Sequence, residues 1–218
     1  MEGAWTAVLP KAAAPLAATD APTRVGAVRL GRLRRGHRGR LREILDATAV
    51  FRPDEVDVAL ELFDQSLLEE RVPLSPDEQI SSAGSLDQSP DYEFVGLFDD
   101  ADRLIGYACF GPTPGADRTY DLYWIAMHPT LHGHGGGSRL LEEVEERLRA
   151  RGARLLVVET SSRDDYTRTR RFYEARGYTE AARLREFYAP GDDRVIYTKR
   201  LAVGGSSYPL SERGVRDE

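Results

Sequence analysis

Four glycines stand at positions 133, 135, 136 and 137, between an apolar stretch ending at Met127 and an amphipathic one beginning at Arg139. A strand that stops there and a helix that starts there leave the helix's first N–H groups unpaired and partly positive. Glycine lets the backbone take positive φ and lets an anion approach closely. The stretch Pro129 to Ser138 is therefore expected to hold a phosphate or pyrophosphate. It is not a P-loop, because no Gly-Lys-Ser/Thr follows the glycines. Nor does Gly133-His-Gly-Gly-Gly-Ser fit a dinucleotide fingerprint, since Ser138 stands where a third glycine or alanine belongs and strands of antiparallel character precede the loop.

The rest of the chain reads around that loop. Val25 to Leu33 is expected to be a strand, and Arg35 to Ala47 a helix with Leu41, Ile44 and Leu45 inward. Arg34, Arg35, Arg38, Arg40 and Arg42 give it a basic, solvated side. Pro53, Asp54 and Glu55 open a second helix, whose apolar stripe runs from Val56 to Leu67. Residues 71–91 are polar with two Ser-Pro pairs, the mark of a long loop. Strands follow at Tyr92 to Phe98, Arg103 to Phe110 and Tyr120 to Met127. Alternation in the last puts Asp121, Tyr123 and Ile125 on one face and Leu122, Trp124 and Ala126 on the other. The helix after the glycines has Leu140, Leu141, Val144 and Leu148 on one side, and Glu143–Arg147 and Glu145–Arg149 pairs on the other. A nearly all-apolar strand from Arg154 to Thr160, a helix ending before Gly177, and a hairpin of Tyr178 to Phe187 with Arg194 to Leu201 complete the order β-α-α-β-β-β-α-β-α-β-β. A run of strands before the α-β-α section implies a mixed sheet in an α/β (α+β) fold. The Ala- and Pro-rich residues 1–24 read as a flexible arm, 25–201 as one domain and 202–218 as a polar tail.

Composition narrows the function classes. The formal net charge is −6, against the basic field a nucleic-acid binder needs. No apolar run is long enough for a membrane span. A single cysteine, Cys109, excludes an internal disulfide framework and suggests a reducing, cytoplasmic setting. Cys109 itself reads as a buried strand residue. His128, His132 and His134 lack acidic or cysteine neighbours in the loop, so no metal is expected.

Two motifs carry a resemblance. Ile125-Ala-Met-His-Pro-Thr-Leu-His-Gly-His-Gly-Gly-Gly-Ser-Arg-Leu-Leu141 resembles the acetyl-CoA site of the GNAT acetyltransferase superfamily, [Gln/Arg]-x-x-Gly-x-[Gly/Ala] after an apolar strand. Gly135 and Gly137 match its two glycines and Gly133 a common extra one, while His132 replaces Gln or Arg and Gly136 replaces Ile or Val. Arg171-Phe-Tyr-Glu-Ala-Arg-Gly-Tyr178 is similar to the family's Phe-Tyr-x-x-x-Gly-[Phe/Tyr] segment, with Tyr166 and Thr169 where Asn and Ala are common. The resemblance covers about residues 25–201. It implies a mixed sheet of about six to seven strands flanked by about four helices, splayed between the fourth and fifth strands.

The resemblance also implies roles. Acetyl-CoA would be held by Ile125, Ala126 and Met127 of the fourth strand, by His132, Gly133, His134, Gly135, Gly136, Gly137 and Ser138 of the loop, and by Tyr166. Tyr173 would be the general acid for the departing thiolate. Asp121 is the first candidate for the base that deprotonates the amine, and Glu159 the second. The implied activity is acetyl-CoA-dependent acetylation of a primary amine, on a small molecule, by direct attack without a covalent enzyme intermediate. A catalytically silent acyl-CoA-binding or scaffold module is the alternative. No nucleic acid or membrane partner is expected, and a homodimer is left open.

Overall fold

The computed structural model describes residues 27–49, 51–69, 92–131 and 133–201. The expected arm (1–24), the 71–91 segment, the tail (202–218) and His132 lie outside the described residues. In chain order the elements are β1 (Arg29–Arg32), α1 (Arg38–Thr48), α2 (Pro53–Glu69), β2 (Glu93–Phe98), β3 (Leu104–Pro112), β4 (Thr119–Met127), α3 (Gly136–Ala150), β5 (Leu155–Ser161), α4 (Thr167–Glu174), β6 (Thr179–Ala189) and β7 (Asp192–Arg200). The seven strands make one sheet, ordered β1-β2-β3-β4-β5-β7-β6. Every pairing is antiparallel except β4 with β5. That single parallel pair follows from the strand–loop–α3–strand crossover, which returns the chain in the direction it left. Among the described residues no helix is long and apolar enough to cross a membrane.

The middle of the sheet, β2 to β4, is buried on both faces, whereas the edge strand β6 is exposed along its length. Leu140, Leu141, Val144 and Leu148 of α3, with Tyr173 of α4, pack on one face against Val95, Ile105, Leu122, Val158 and Val195. Leu41, Ile44 and Leu45 of α1, with Val56, Ala59, Leu60 and Phe63 of α2, pack on the other against Phe94, Tyr107, Cys109 and Trp124. Cys109 is fully buried, and burial pushes its thiol well above the ordinary range. The basic side of α1 is not a free solvated face. Arg38 and Arg42 pair with Asp64 and Asp57 of α2 (2.8 and 2.6 Å), and Arg40 donates to the Leu104 carbonyl (3.0 Å).

Two expectations are corrected. The register of β3 with β4 pairs Cys109 with Trp124 and Phe110 with Leu122, so Tyr123 is the inserted residue of a β-bulge. The bulge breaks the simple alternation: Ile125 packs on the α3 face with Leu122 and Met127, whereas Tyr123, Trp124 and Ala126 face α1 and α2. Asp121 therefore shares a face with Tyr123 but not with Ile125. Second, Glu145 is not on the solvent side of α3. It is buried, taking Lys199 Nζ at 2.7 and 2.8 Å and the Tyr178 hydroxyl at 3.0 Å as well as Arg149. A buried carboxylate stays charged only when so partnered. A 3-10 turn over Asp164–Tyr166 leads into α4.

Met127 explains why position 136 is a glycine. A Cβ on Gly136 would lie 2.6 Å from Met127 Cε and 3.0 Å from Leu97 Cδ2, and one on Gly106 would lie 2.1 Å from Met127 Sδ. The thioether fills the space that a larger residue at 136 would occupy. Gly136→Val is expected to lower stability in denaturant titrations by ~1–3 kcal/mol through overpacking. Adding Met127→Ala to that variant should restore part of the loss. Equal loss in the single and double variants would show that the two side chains do not compete.

Candidate active site

The site is built on the parting of two strands. β4 and β5 pair only from Thr119 with Leu155 to Leu122 with Val158. Beyond that, β4 stays on β3 as far as Met127 opposite Gly106, and β5 stays on β7 as far as Ser161 opposite Arg194. The extra residue at Tyr123 bends β4 where pairing with β5 stops. Among the described residues, the edge of β4 from Tyr123 to Met127, which holds the expected residues Ile125, Ala126 and Met127, thus has no strand beside it on the β5 side.

The glycine loop lies at the end of that open edge. After β4, His128 N–H returns to the Ile105 carbonyl (2.9 Å), and a 3-10 turn runs over Pro129–Leu131. Gly133 and Gly135 take φ of 85° and 78°, which side chains resist. Gly135 is the N-cap of α3 with no side-chain cap, and no acidic residue stands in the first turn. The first intrahelical bond is Arg139 N–H to the Gly135 carbonyl (3.1 Å), so the amides of Gly136, Gly137 and Ser138 have no helical acceptor.

A cation that the sequence did not single out stands beside them. Arg176 donates to Ser138 Oγ and to the Phe172 carbonyl (2.8 Å), and stacks 3.7 Å above the Phe172 ring. Among the described residues no carboxylate pairs with it, and burial lowers its pKa. A cavity of about 270 Å³ is lined by Ile105, Met127, Leu131, His134, Gly136 and Arg139, and so touches the expected residues Met127, His134 and Gly136. A larger one, about 370 Å³, is lined by Phe63, Ser66, Tyr92 and Arg147, away from every expected site residue.

The expected catalytic residues fall on opposite faces of the sheet. Tyr173 is fully buried on the α3 face, ringed by Phe172, Tyr178 and Tyr197 at centroid distances of 5.2, 5.3 and 6.3 Å. Its hydroxyl has no hydrogen-bond partner among the described residues, and burial raises its pKa far above the ordinary phenol. Tyr166, last residue of the 3-10 turn before α4, is equally buried, with its hydroxyl also unpartnered and its pKa raised by burial.

Asp121 pairs with Val157, and Glu159 lies two residues on, so both point to the α1–α2 face. Asp121 accepts from Thr113 Oγ1 (2.8 Å). Burial raises its pKa, Glu159 adds to the rise, and the Thr113 bond opposes it. Glu159 is the first β5 residue beyond the paired segment, and it pairs with Arg194 of β7. Arg194 in turn lies 4.8 Å from the exposed Phe187 ring. Burial, then Glu159, pushes Tyr188 up to about 12. Thr113, Arg176 and Arg194 were not legible in the sequence, because each acts through a partner many residues away.

Comparison with known proteins shows the family and the fold. The family model described as "Acetyltransferase (GNAT) family" matches residues 58–178. A protein assigned to the GNAT family from Desulfovibrio desulfuricans is 40% identical, with a TM-score of 0.68 over 81% of this chain and 100% of that one. YncA from Salmonella typhimurium, solved with acetyl-CoA, is 16% identical, with a TM-score of 0.59 over 83% and 98%. PaiA N-acetyltransferase from Thermoplasma acidophilum, solved with coenzyme A, is also 16% identical, with a TM-score of 0.54 over 80% and 99%. The last two share the fold. No curated protein matches the chain.

Proposed function

The chain belongs to the acetyltransferase (GNAT) family, and from that premise we propose that it transfers the acetyl group of acetyl-CoA to a primary amine of a small molecule, by direct attack in a ternary complex. One observation carries the reading: β4 and β5 part after Leu122 and Val158, with Asp121 and Glu159 beside the parting on one face of the sheet and Tyr173 buried on the other face. The residues present fit acetyl-CoA. The unpaired edge of β4 suits the amides of a pantetheine arm, and the open amides of Gly136 to Ser138 suit a pyrophosphate. The hydroxyls of Tyr166 and Tyr173 are buried with no hydrogen-bond partner among the described residues, so a ligand could satisfy them.

When bound, acetyl-CoA supplies a thioester carbonyl for attack and a thiolate as leaving group. The chain's own residues then have distinct tasks. Ile125, Ala126 and Met127 align the arm, a backbone N–H near Met127 polarises the carbonyl, and the loop with Ser138 fixes the anionic end. Tyr166 contacts the arm through its unpartnered hydroxyl. An alkyl amine with a pKa near ~10.4 must lose a proton before it attacks. Asp121 takes it, directly or through one water, because its raised pKa makes it a better base than an ordinary carboxylate. Glu159, held by Arg194 at the gap, orients the ammonium. Tyr173, kept neutral by burial, donates its proton to the thiolate. Two carboxylates on the acceptor face favour a cationic amine. The lone buried Cys109 is consistent with a cytoplasmic setting.

Arg176 extends the anion site. Its charge adds to the positive end of α3, whose first turn holds no acid; Glu142 and Glu145 act on Arg176 only through space, so an incoming phosphate can still pair with it. Arg176→Ala is expected to raise KM for acetyl-CoA by about 10-fold. KM for S-acetylpantetheine, which lacks the phosphates, should stay unchanged. An equal rise for both donors would make Arg176 a packing residue.

The proposal as a whole is tested by incubating the protein with acetyl-CoA and a panel of amines and following free thiol. Amine-dependent thiol release supports it. Stabilisation by acetyl-CoA without acetyl loss to any amine would favour the silent binding module.

A further inference from the structure

Thr160 sits on β5 two residues past Val158, the last residue paired with β4. Its partner across β7 is Val195. Val158 and Val195 both pack on the α3 face, so alternation places the Thr160 side chain there too, on the side of Tyr173. Thr160 is fully buried, and its Oγ1 has no hydrogen-bond partner among the described residues.

Packing alone does not select a hydroxyl at this place. Valine has the same branched shape, and the neighbours on this face, at 158 and 195, are valines. A buried hydroxyl without a partner destabilises the fold by the water contacts it gave up. The chain keeps that group where the sheet opens, with the Tyr173 hydroxyl on the same face in the same condition. Native structures leave few such groups unsatisfied, and a ligand is one of the things that satisfies them.

We propose that Thr160 is a binding residue for the acyl-CoA, its Oγ1 donating a hydrogen bond to a carbonyl of the acyl-pantetheine arm. The inference rests on the acetyl-CoA reading above and adds a residue to it. The bond forms only when the arm lies in the gap, so without ligand the hydroxyl is a liability.

Calorimetric titration of acetyl-CoA into wild-type protein, Thr160→Val and Thr160→Ser tests this, with the melting temperature of each ligand-free protein measured alongside. Thr160→Val should melt at or above the wild-type temperature and bind acetyl-CoA about 5- to 10-fold more weakly, the worth of one hydrogen bond. Thr160→Ser, which keeps the hydroxyl and loses a methyl, should bind as wild type even if it melts lower. Unchanged affinity in Thr160→Val would overturn the proposal. So would equal weakening in both variants, which would trace the effect to packing. If the wild type itself fails to bind acetyl-CoA, the functional reading falls first and this one with it.

Discussion

Tyr173→Phe is expected to lower kcat by about 100-fold or more, the usual worth of a positioned general acid, while acetyl-CoA affinity stays within about twofold, since a role confined to the transition state leaves ground-state binding alone. The ring is held by Phe172, Tyr178 and Tyr197, and phenylalanine keeps those contacts. The hydroxyl has no partner among the described residues, so its removal takes nothing from the ligand-free fold. Stability should hold or rise while turnover collapses, a split that a structural tyrosine would not give. Steady-state kinetics with a thermal melt decide it. A variant with wild-type kcat removes Tyr173 from the mechanism.

Asp121→Asn should be as damaging, by about 100-fold in kcat/KM, and should reshape the pH profile. Burial raises the Asp121 pKa, so the base is lost by protonation above the ordinary carboxylate range. In wild type, kcat/KM should fall as pH drops through that raised pKa, and in Asp121→Asn this acid limb should vanish. Stability carries the same signature with a definite sign. The folded state holds the Asp121 proton more tightly than the unfolded chain, so stability declines as pH rises from the unfolded carboxylate pKa to the raised folded one. The asparagine variant should lack that decline. Removal of the Glu159 charge differs, because it leaves Arg194 without its carboxylate. An acid limb that persists in Asp121→Asn would pass the role of base to Glu159 or to water.

Local signals carried most of the fold into the sequence. Apolar stripes marked α1, α2 and α3, and Gly177, which takes positive φ, marked a helix end. The glycine loop and the Tyr173 segment marked the two ends of the site. What stayed illegible depended on pairing across the chain. The bulge at Tyr123 shows only in the register of β4 on β3, and it moved Ile125 to the other face. Glu145 read as a surface partner of Arg149 because its deeper partners, Lys199 and Tyr178, come from β7 and from the residue just before β6. Gly136 read as a departure until Met127 was seen to fill its place. Arg194 and Thr113, which hold the two candidate carboxylates, carry no motif of their own.

The central claim is that acyl-CoA lies along the open edge of β4 and ends on the amides that begin α3. Backbone amide NMR of the full chain, recorded before and after addition of acetyl-CoA, tests it most directly. The account predicts that the largest shifts cluster at residues 123–127 and 133–138, with a further group around Thr160, Tyr166 and Tyr173. Shifts confined to the cavity near Phe63, Ser66 and Arg147, or none at millimolar acetyl-CoA, would contradict it.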